Sequence, residues 1–315
     1  MDSLLPAGSS PLAAPPERPS VRARRQGAWL GSLCVVGSAV AFSAKAVIAK
    51  VAYVHGADPA TVLSLRFAFA LPFFVLAALV TSRGRERLGR LDIVKIVGLG
   101  VVGYYGASAL DFYGLLYISA GLERLILFVY PTLVVLMGAL LFGTPITRRI
   151  VLALLLTYAG VALAVKTEMA SLGGEDLWLG VSLVFVGTVA YAGYLVGGGR
   201  LIPRLGAVRF TSLALIVATL AMLAHFAVVG GSFFGHPPLV YVYGIVLGLV
   251  CTVLPVFLLA EGIRRIGAGP ASIIGGVGPV STIVLAHFAL GEPVHLLQVL
   301  GTALVLVGAT VVARG

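Results

Sequence analysis

Residues 262–313 repeat residues 114–165 without a gap, with 13 of the 52 positions identical. The unit that repeats holds an odd number of long apolar runs. Gly114 matches Gly262, Gly121 matches Gly269, and Pro131 matches Pro279. Gly143 matches Gly291, Pro145 matches Pro293, and Gly160 matches Gly308. In so apolar a chain, coincident Leu, Val and Ala follow from composition. Coincident Gly and Pro do not, because they mark helix ends, kinks and close backbone contacts. The early parts align one residue further along, with Trp29-Leu30-Gly31 on Trp178-Leu179-Gly180. A repeated unit with an odd number of spans must enter a bilayer upside down relative to its twin.

Apolar runs of about 20 residues, the length that crosses a bilayer as a helix, fall near 28–52, 59–80, 94–116, 120–142 and 149–166. Five more fall near 178–198, 208–230, 239–260, 269–290 and 295–313. Hydrophobic residues make up 59% of the chain and charged residues 11%, which excludes a soluble domain. The expected fold is an all-α polytopic membrane protein. Its ten transmembrane helices form two inverted five-helix repeats, 27–166 and 177–313, behind a disordered basic cytoplasmic tail, 1–26. Inverted repeats around a midplane site are a common construction of secondary transporters.

The net charge of +10 could suggest nucleic acid, but its placement argues otherwise. With a cytoplasmic N-terminus, the tail and the inner connections collect seventeen Lys and Arg, whereas the outer side receives only Arg124 and Lys166. That asymmetry is the positive-inside signal, and it places both termini in the cytoplasm of a cell bounded by this inner or plasma membrane. The expected partners are the lipid bilayer and a small-molecule substrate, not nucleic acid. A homodimer is a further arrangement such a chain allows. The tail lacks the early apolar core and cleavage site of a signal peptide. Cys34 and Cys251 sit inside spans with no disulfide or metal spacing, so neither metal nor cofactor is expected.

Within each unit the fourth span carries a central proline, Pro131 or Pro279. Each removes one helical hydrogen bond and frees a carbonyl four residues back, at Leu127 and Gly275. A freed carbonyl in a membrane must face protein or a polar cavity, so the matched kinks mark a hinge or pathway wall. Here the units resemble a pair of EamA domains. Tyr130-Pro131, Gly143-Thr144-Pro145 and Gly160 carry the resemblance in the first unit. Gly278-Pro279, Gly291-Glu292-Pro293 and Gly308 carry it in the second. The chain is similar to the ten-span members of the drug/metabolite transporter superfamily. The acid usual after the turn glycine is present as Glu292 but is Thr144 in the first unit, which argues against a catalytic role for it.

Ionisable groups inside spans cost about 2.5–3.5 kcal/mol each near the bilayer centre, and so default to function. Lys45, Lys50, Arg66, Asp111, Glu123 and Arg124 all fall in the outer half of the first unit. Their matched positions in the second unit are uncharged: Tyr194 for Lys45, Leu259 for Asp111, Ala271 for Glu123 and Ser272 for Arg124. The expected site is therefore asymmetric. Lys45 and Arg66 would offer positive charge to a substrate carboxylate or phosphate, and Asp111 or Glu123 would balance them or accept a proton. Tyr104, Tyr130, Tyr191 and Tyr194 would supply aromatic walls and hydroxyls. The competing reading is a structural network, pairing Lys45 or Arg66 with Asp111 and Glu123 with Arg124. Lys50, about 140° around the helix from Lys45, is expected to snorkel to the interface. His225 and His287 stand singly in spans and are expected to bond neighbouring helices.

The resemblance implies a secondary transporter, exporting a small metabolite such as an amino acid or related compound by alternating access. A membrane-embedded enzyme would need clustered acids or a nucleophile–base pair, and the sequence offers neither. No Gly-Lys-Ser/Thr phosphate loop is present, which argues against direct ATP drive. A non-transporting membrane protein leaves the matched kinks and the charges within spans unmotivated.

Overall fold

The computed structural model describes residues 21–313 apart from Glu86 and residues 173–175. Most of the expected tail, residues 1–20, lies outside the described residues, while residues 21–26 already belong to the first helix. The first repeat comprises α1 (Val21–Val54), α2 (Pro59–Ser82), α3 (Arg90–Gly114), α4 and α5 (Arg148–Leu172). The second comprises α6 (Asp176–Leu205), α7 (Ala207–Val228), α8 (Pro238–Ile266), α9 and α10 (Leu296–Ala313). Helix α4 is split into Ala120–Leu127 and Tyr130–Phe142, and α9 into Ala268–Gly275 and Val277–Leu290. Among the described residues nine helices are long and apolar enough to cross a bilayer, and α10 adds a shorter apolar stretch, Leu296–Val311. At about 1.5 Å per residue its 18 residues reach about 27 Å, close to the hydrocarbon thickness.

Several helices overrun the apolar limits read from the sequence. Helix α3 starts at Arg90, α5 runs to Leu172 and α6 continues to Leu205. The extensions carry Asp92, Glu168 and Arg204, because a helix keeps satisfying its backbone beyond the hydrocarbon edge while its side chains meet charge. The ends are chemically marked. Asp58 caps α2 through Thr61 N at 3.0 Å. Desolvation works to raise the Asp58 carboxyl, but bonds from the Thr61 hydroxyl and amide hold it below the usual range. Gly143 and Gly291 end α4 and α9 at φ of 67° and 68°, a left-handed conformation that glycine adopts without strain.

The repeat is visible in the packing. Gly31 of α1 meets Gly262 of α8, where a Cβ would lie 2.5 Å from Val35 Cγ2 and 3.1 Å from Gly31 O. Their matched partners, Gly180 of α6 and Gly114 of α3, meet in the same way, a Cβ on either falling 3.1 Å from the other's carbonyl. Likewise Gly160 of α5 faces Gly301 of α10, and on the matched Gly308 a Cβ would lie 2.8 Å from Ala153 O. The first helix of each repeat thus packs on the third of the other, and the two fifth helices pack together.

Gly31 lies at the start of α1 beside Arg265 near the end of α8. Gly180 lies at the start of α6 beside Tyr117, just past the end of α3. The two first helices therefore begin at opposite ends of the bundle, and the repeats are inverted. The end holding Arg85, Arg204, Arg264 and Arg265 is called the arginine-rich end below.

Both fourth helices break at matched positions. Helix α4 stops at Leu127 and restarts at Tyr130, and α9 stops at Gly275 and restarts at Val277. Pro131 occupies the first turn of the restarted segment, where a missing amide costs nothing. Helices α3 and α8 share another irregularity, π-helical stretches at Leu99–Gly106 and Leu249–Val253. These also overlay under the repeat. One extra residue per turn re-aims the side chains there, and such segments often accompany function.

Candidate functional site

Lys45 of α1 is 4% exposed at the heart of the arginine-poor half. It forms ion pairs with Asp111 of α3 and, at 3.0 Å, with Glu123 of α4. Glu123 is wholly buried, and Asp111 nearly so. Around this triad cations and aromatic rings alternate. Arg66 and Lys45 both lie over the Phe112 ring, at 5.3 and 5.7 Å from its centroid. Lys45 and Arg124 both lie over the Phe42 ring, at 5.7 and 5.1 Å. Each cation–π contact desolvated in this way contributes on the order of 2 kcal/mol. The row runs Arg66, Phe112, Lys45, Phe42, Arg124, joining four helices of the first repeat.

The two end cations differ from the middle one. Among the described residues neither Arg66 nor Arg124 has a carboxylate within 4.0 Å, so neither forms the ion pair expected of it with Asp111 or Glu123. Arg66 Nε donates instead to Thr252 Oγ1 of α8 at 2.8 Å. Thr252 in turn donates to Leu247 O, five residues back, a reach that the π-helical register provides. Arg124 Nε is buried with no hydrogen-bond partner. The Arg124 guanidinium lies against Gly278 of α9, where a Cβ would come within 2.9 Å of Nη2. Gly278 matches Tyr130, so the second repeat supplies a flat wall where the first supplies a ring.

The four tyrosines form one connected series. Tyr130 meets Tyr191 edge-on at 5.8 Å, Tyr191 stacks on Tyr194 at 5.9 Å, and Tyr194 meets Tyr104 edge-on at 5.6 Å. Tyr104 continues to Phe67 at 6.1 Å, the neighbour of Arg66. Tyr194 also stacks on Phe210 at 5.4 Å. Tyr104, Tyr130 and Tyr191 are partly exposed, whereas the charged triad is sealed. The aromatic wall thus lies on the accessible side of a row whose end cations have no carboxylate within 4.0 Å among the described residues.

Other residues go elsewhere. Lys50 does not snorkel: it donates to Ile118 O at 2.9 Å and pairs with Glu292 at 3.2 Å. Two acceptors at the top of α4 outcompete water for a side chain that is only a quarter exposed. His225 lies against the Tyr105 and Tyr113 rings, and His287 Nδ1 lies 2.9 Å from Glu292 O. Glu261 takes Arg264 and Arg265 at the arginine-rich end, at 2.6 to 2.7 Å. No group of three His, Cys, Asp or Glu able to hold a metal ion occurs among the described residues.

The model of the EamA-like transporter family matches residues 29–166 and again 178–314. The chain belongs to this family. It is 32% identical over 280 residues to the uncharacterized transporter YcbK of Bacillus subtilis (strain 168), covering 86% of this chain and 88% of that one. It is 26% identical over 265 residues to the uncharacterized transporter YyaM of the same organism, covering 80% and 83%. A solved crystal structure overlays with a TM-score of 0.62 at 19% identity, across 89% of this chain and 95% of that one, a likeness of fold. The chain is an EamA-like transporter with two repeats, as its resemblance to drug/metabolite transporters implied.

Thr252, Phe42 and Phe112 join this row in the structure but are not among the candidate residues read from the sequence. Phe42 stands in the stripe of Lys45 and Phe112 follows Asp111, so both were within reach of a helical projection. Thr252 matches Tyr104 under the 148-residue repeat, a signal that becomes meaningful once both positions lie in π-helical segments.

Proposed function

We propose that this transporter exports a small metabolite bearing a carboxylate, an amino acid or related compound, across the cell membrane by alternating access, with both termini in the cytoplasm. One observation carries the reading. Lys45 pairs with both Asp111 and Glu123, while Arg66 and Arg124 are buried with no carboxylate within 4.0 Å among the described residues, so three buried cations face two buried acids and one positive charge is left over. Buried uncompensated charge is expensive and persists where a ligand supplies the countercharge. Guanidinium forks suit a carboxylate, and the tyrosine series offers an apolar wall with hydroxyls for the remainder of the molecule. Export rests on the family likeness, and cytoplasmic termini rest on the basic residues of one face.

The two ends of the bundle differ in a way that supports alternating access. At the arginine-poor end the first turn of α4 is held by Ser119, Glu168 and Glu292, with Lys50 joining Glu292. The matched first turn of α9, at the other end, follows Gly267 and has no side-chain cap. Thr144 and Gly199 stand where Glu292 and Lys50 have their counterparts. Among the described residues one mouth is latched in this way and its twin is not, consistent with a state closed outside.

Purified protein in liposomes should give saturable, gradient-dependent flux of at least one amino acid or organic acid. Flux confined to cationic drugs would refute the carboxylate assignment. A second reading applies to the triad alone. Because Lys45 pairs with both Asp111 and Glu123 and all three are sealed, they serve as a framework that orients the row, with the arginines meeting substrate.

A further inference from the structure

Arg124 of α4 is 8% exposed and lies against a helix end of its own sign. A Cβ on Gly278 would come within 2.9 Å of Arg124 Nη2. Gly278 belongs to the first turn of Val277–Leu290, the second segment of α9, and that turn holds no acid and no capping side chain. Aligned peptide dipoles make such an end partly positive. Arg124 Nε is buried with no hydrogen-bond partner, and no carboxylate lies within 4.0 Å of the guanidinium among the described residues. The nearby Ser43 hydroxyl already donates to Gly278 O at 2.8 Å. A buried cation facing a positive helix end is costly until an anion sits between them.

The whole row has the same deficit. Lys45, Arg66 and Arg124 bring three positive charges, and Asp111 and Glu123 bring two negative ones. The chief charged neighbours of Lys45 and of Arg124 belong to this row. A proton on either acid would widen the deficit, so the row lacks at least one negative charge. A zwitterion brings a carboxylate but no net charge. Its ammonium would also find no free acid, since Asp111 and Glu123 are sealed against Lys45. Arg66 offers a carboxylate less than Arg124 does, because its Nε is committed to Thr252 Oγ1. The tyrosine wall begins beside Arg124: Tyr130 and Tyr191 both act on its charge, and their rings meet at 5.8 Å.

We propose that the substrate is an organic anion with a net negative charge, its carboxylate held between the Arg124 guanidinium and the first turn of Val277–Leu290. The proposal rests on the row being the substrate site and narrows the class assigned there. Zwitterionic amino acids are rejected, whereas hydroxy and keto acids and acidic or N-acylated amino acids are accepted. The remainder of the molecule lies along Tyr130 and Tyr191, away from the sealed triad. Arg124 belongs to the first repeat and Gly278 to the second, so the bound carboxylate bridges the two broken helices.

The test uses the purified full-length protein in detergent at neutral pH, with three matched pairs as probes. These are alanine and lactate, leucine and its hydroxy acid, and phenylalanine and phenyllactate. Each hydroxy acid keeps the side chain and tetrahedral carbon of its partner and replaces the ammonium by a hydroxyl. In at least one pair the hydroxy acid should raise the melting midpoint saturably, half-saturating at a concentration at least about tenfold below its amino acid. Arg124→Met should abolish that rise. Gly278→Ala, which narrows the gap from the other side, should weaken it, and stands in if Arg124→Met does not fold. Equal or tighter binding of the amino acids overturns the proposal while leaving the carboxylate assignment standing. A response to cationic drugs alone overturns both. No response in any pair, or a full rise retained in whichever variant folds, also overturns the proposal.

Discussion

Arg66 Nε donates to Thr252 Oγ1 at 2.8 Å, tying α2 of one repeat to the π-helical segment of α8 in the other. The bond fixes one end cation of the row to an element whose twin carries Tyr104. Replacing Thr252 by Val keeps the volume and removes the acceptor. A buried charged donor that loses its partner costs about 1.5–3 kcal/mol. The expected outcome is a correspondingly lower melting midpoint, together with reduced flux of carboxylate substrates in liposomes. Thr252→Ser should retain most of both. Unchanged flux in Thr252→Val would remove Arg66 from the substrate path.

Arg124 is expected to respond to its neighbour across the repeat boundary. A Cβ at Gly278 would fall 2.9 Å from Arg124 Nη2 and 3.2 Å from Ser43 Oγ. Gly278→Ala should therefore displace the guanidinium and raise the half-saturating substrate concentration. Arg124→Lys should do the same by losing the planar fork while keeping the charge. Flux measured across a substrate concentration series checks both, and equal curves for wild type and Gly278→Ala would show that Arg124 does not hold substrate.

The architecture was legible because membrane helices must announce themselves. An apolar run of bilayer length, a positive-inside bias and matched Gly and Pro are each imposed by the solvent. Together they gave ten helices, the inversion and the location of Pro131 and Pro279. Helix ends were less legible, since Asp92, Glu168 and Arg204 belong to helices that continue past the hydrocarbon. Within the site, the sequence located Lys45, Asp111 and Glu123 together in one half. It offered Asp111 to Lys45 or Arg66 and Glu123 to Arg124, whereas Lys45 takes both acids once α1, α3 and α4 are packed. Lys50 was read as interfacial for the same reason: the acceptors at Ile118 and Glu292 come from elements 68 residues or more away. The π-helical segments leave no periodic signature in a uniformly apolar run.

The pairing of α5 with α10 depends on backbone approach. A Cβ on Gly160 would meet Gly301 O at 2.5 Å and Val305 N at 3.0 Å. Gly160→Leu should separate the two helices and abolish recovery of folded protein. Gly193 of α6 is the control, since a Cβ there meets nothing within 4 Å. Gly193→Ala should stabilise by about 0.5–1 kcal/mol through helix propensity. Fluorescence-detected size exclusion and melting curves read both, and a well-folded Gly160→Leu would contradict the close packing.

Neutralising the triad separates framework from chemistry. Lys45→Met leaves Asp111 and Glu123 facing each other in a sealed pocket without their ammonium. Breaking a buried charge network from one side costs about 3–5 kcal/mol. Lys45→Met should accordingly yield little folded protein, or protein that folds better at low pH, where one acid can take a proton. Asp111→Asn leaves Glu123 as a partner for Lys45, so its loss of stability should be smaller. The triple variant Lys45→Met, Asp111→Asn, Glu123→Gln removes every charge of the triad and should recover much of the melting midpoint lost in Lys45→Met. If the triad only orients Arg66 and Arg124, that variant should also recover measurable flux. If Lys45 itself meets substrate or one acid carries a coupled proton, stability should return and flux should not. Melting curves and liposome flux on the same three preparations therefore discriminate the two roles, and a triple variant no more stable than Lys45→Met would show that the network is not what holds this half together.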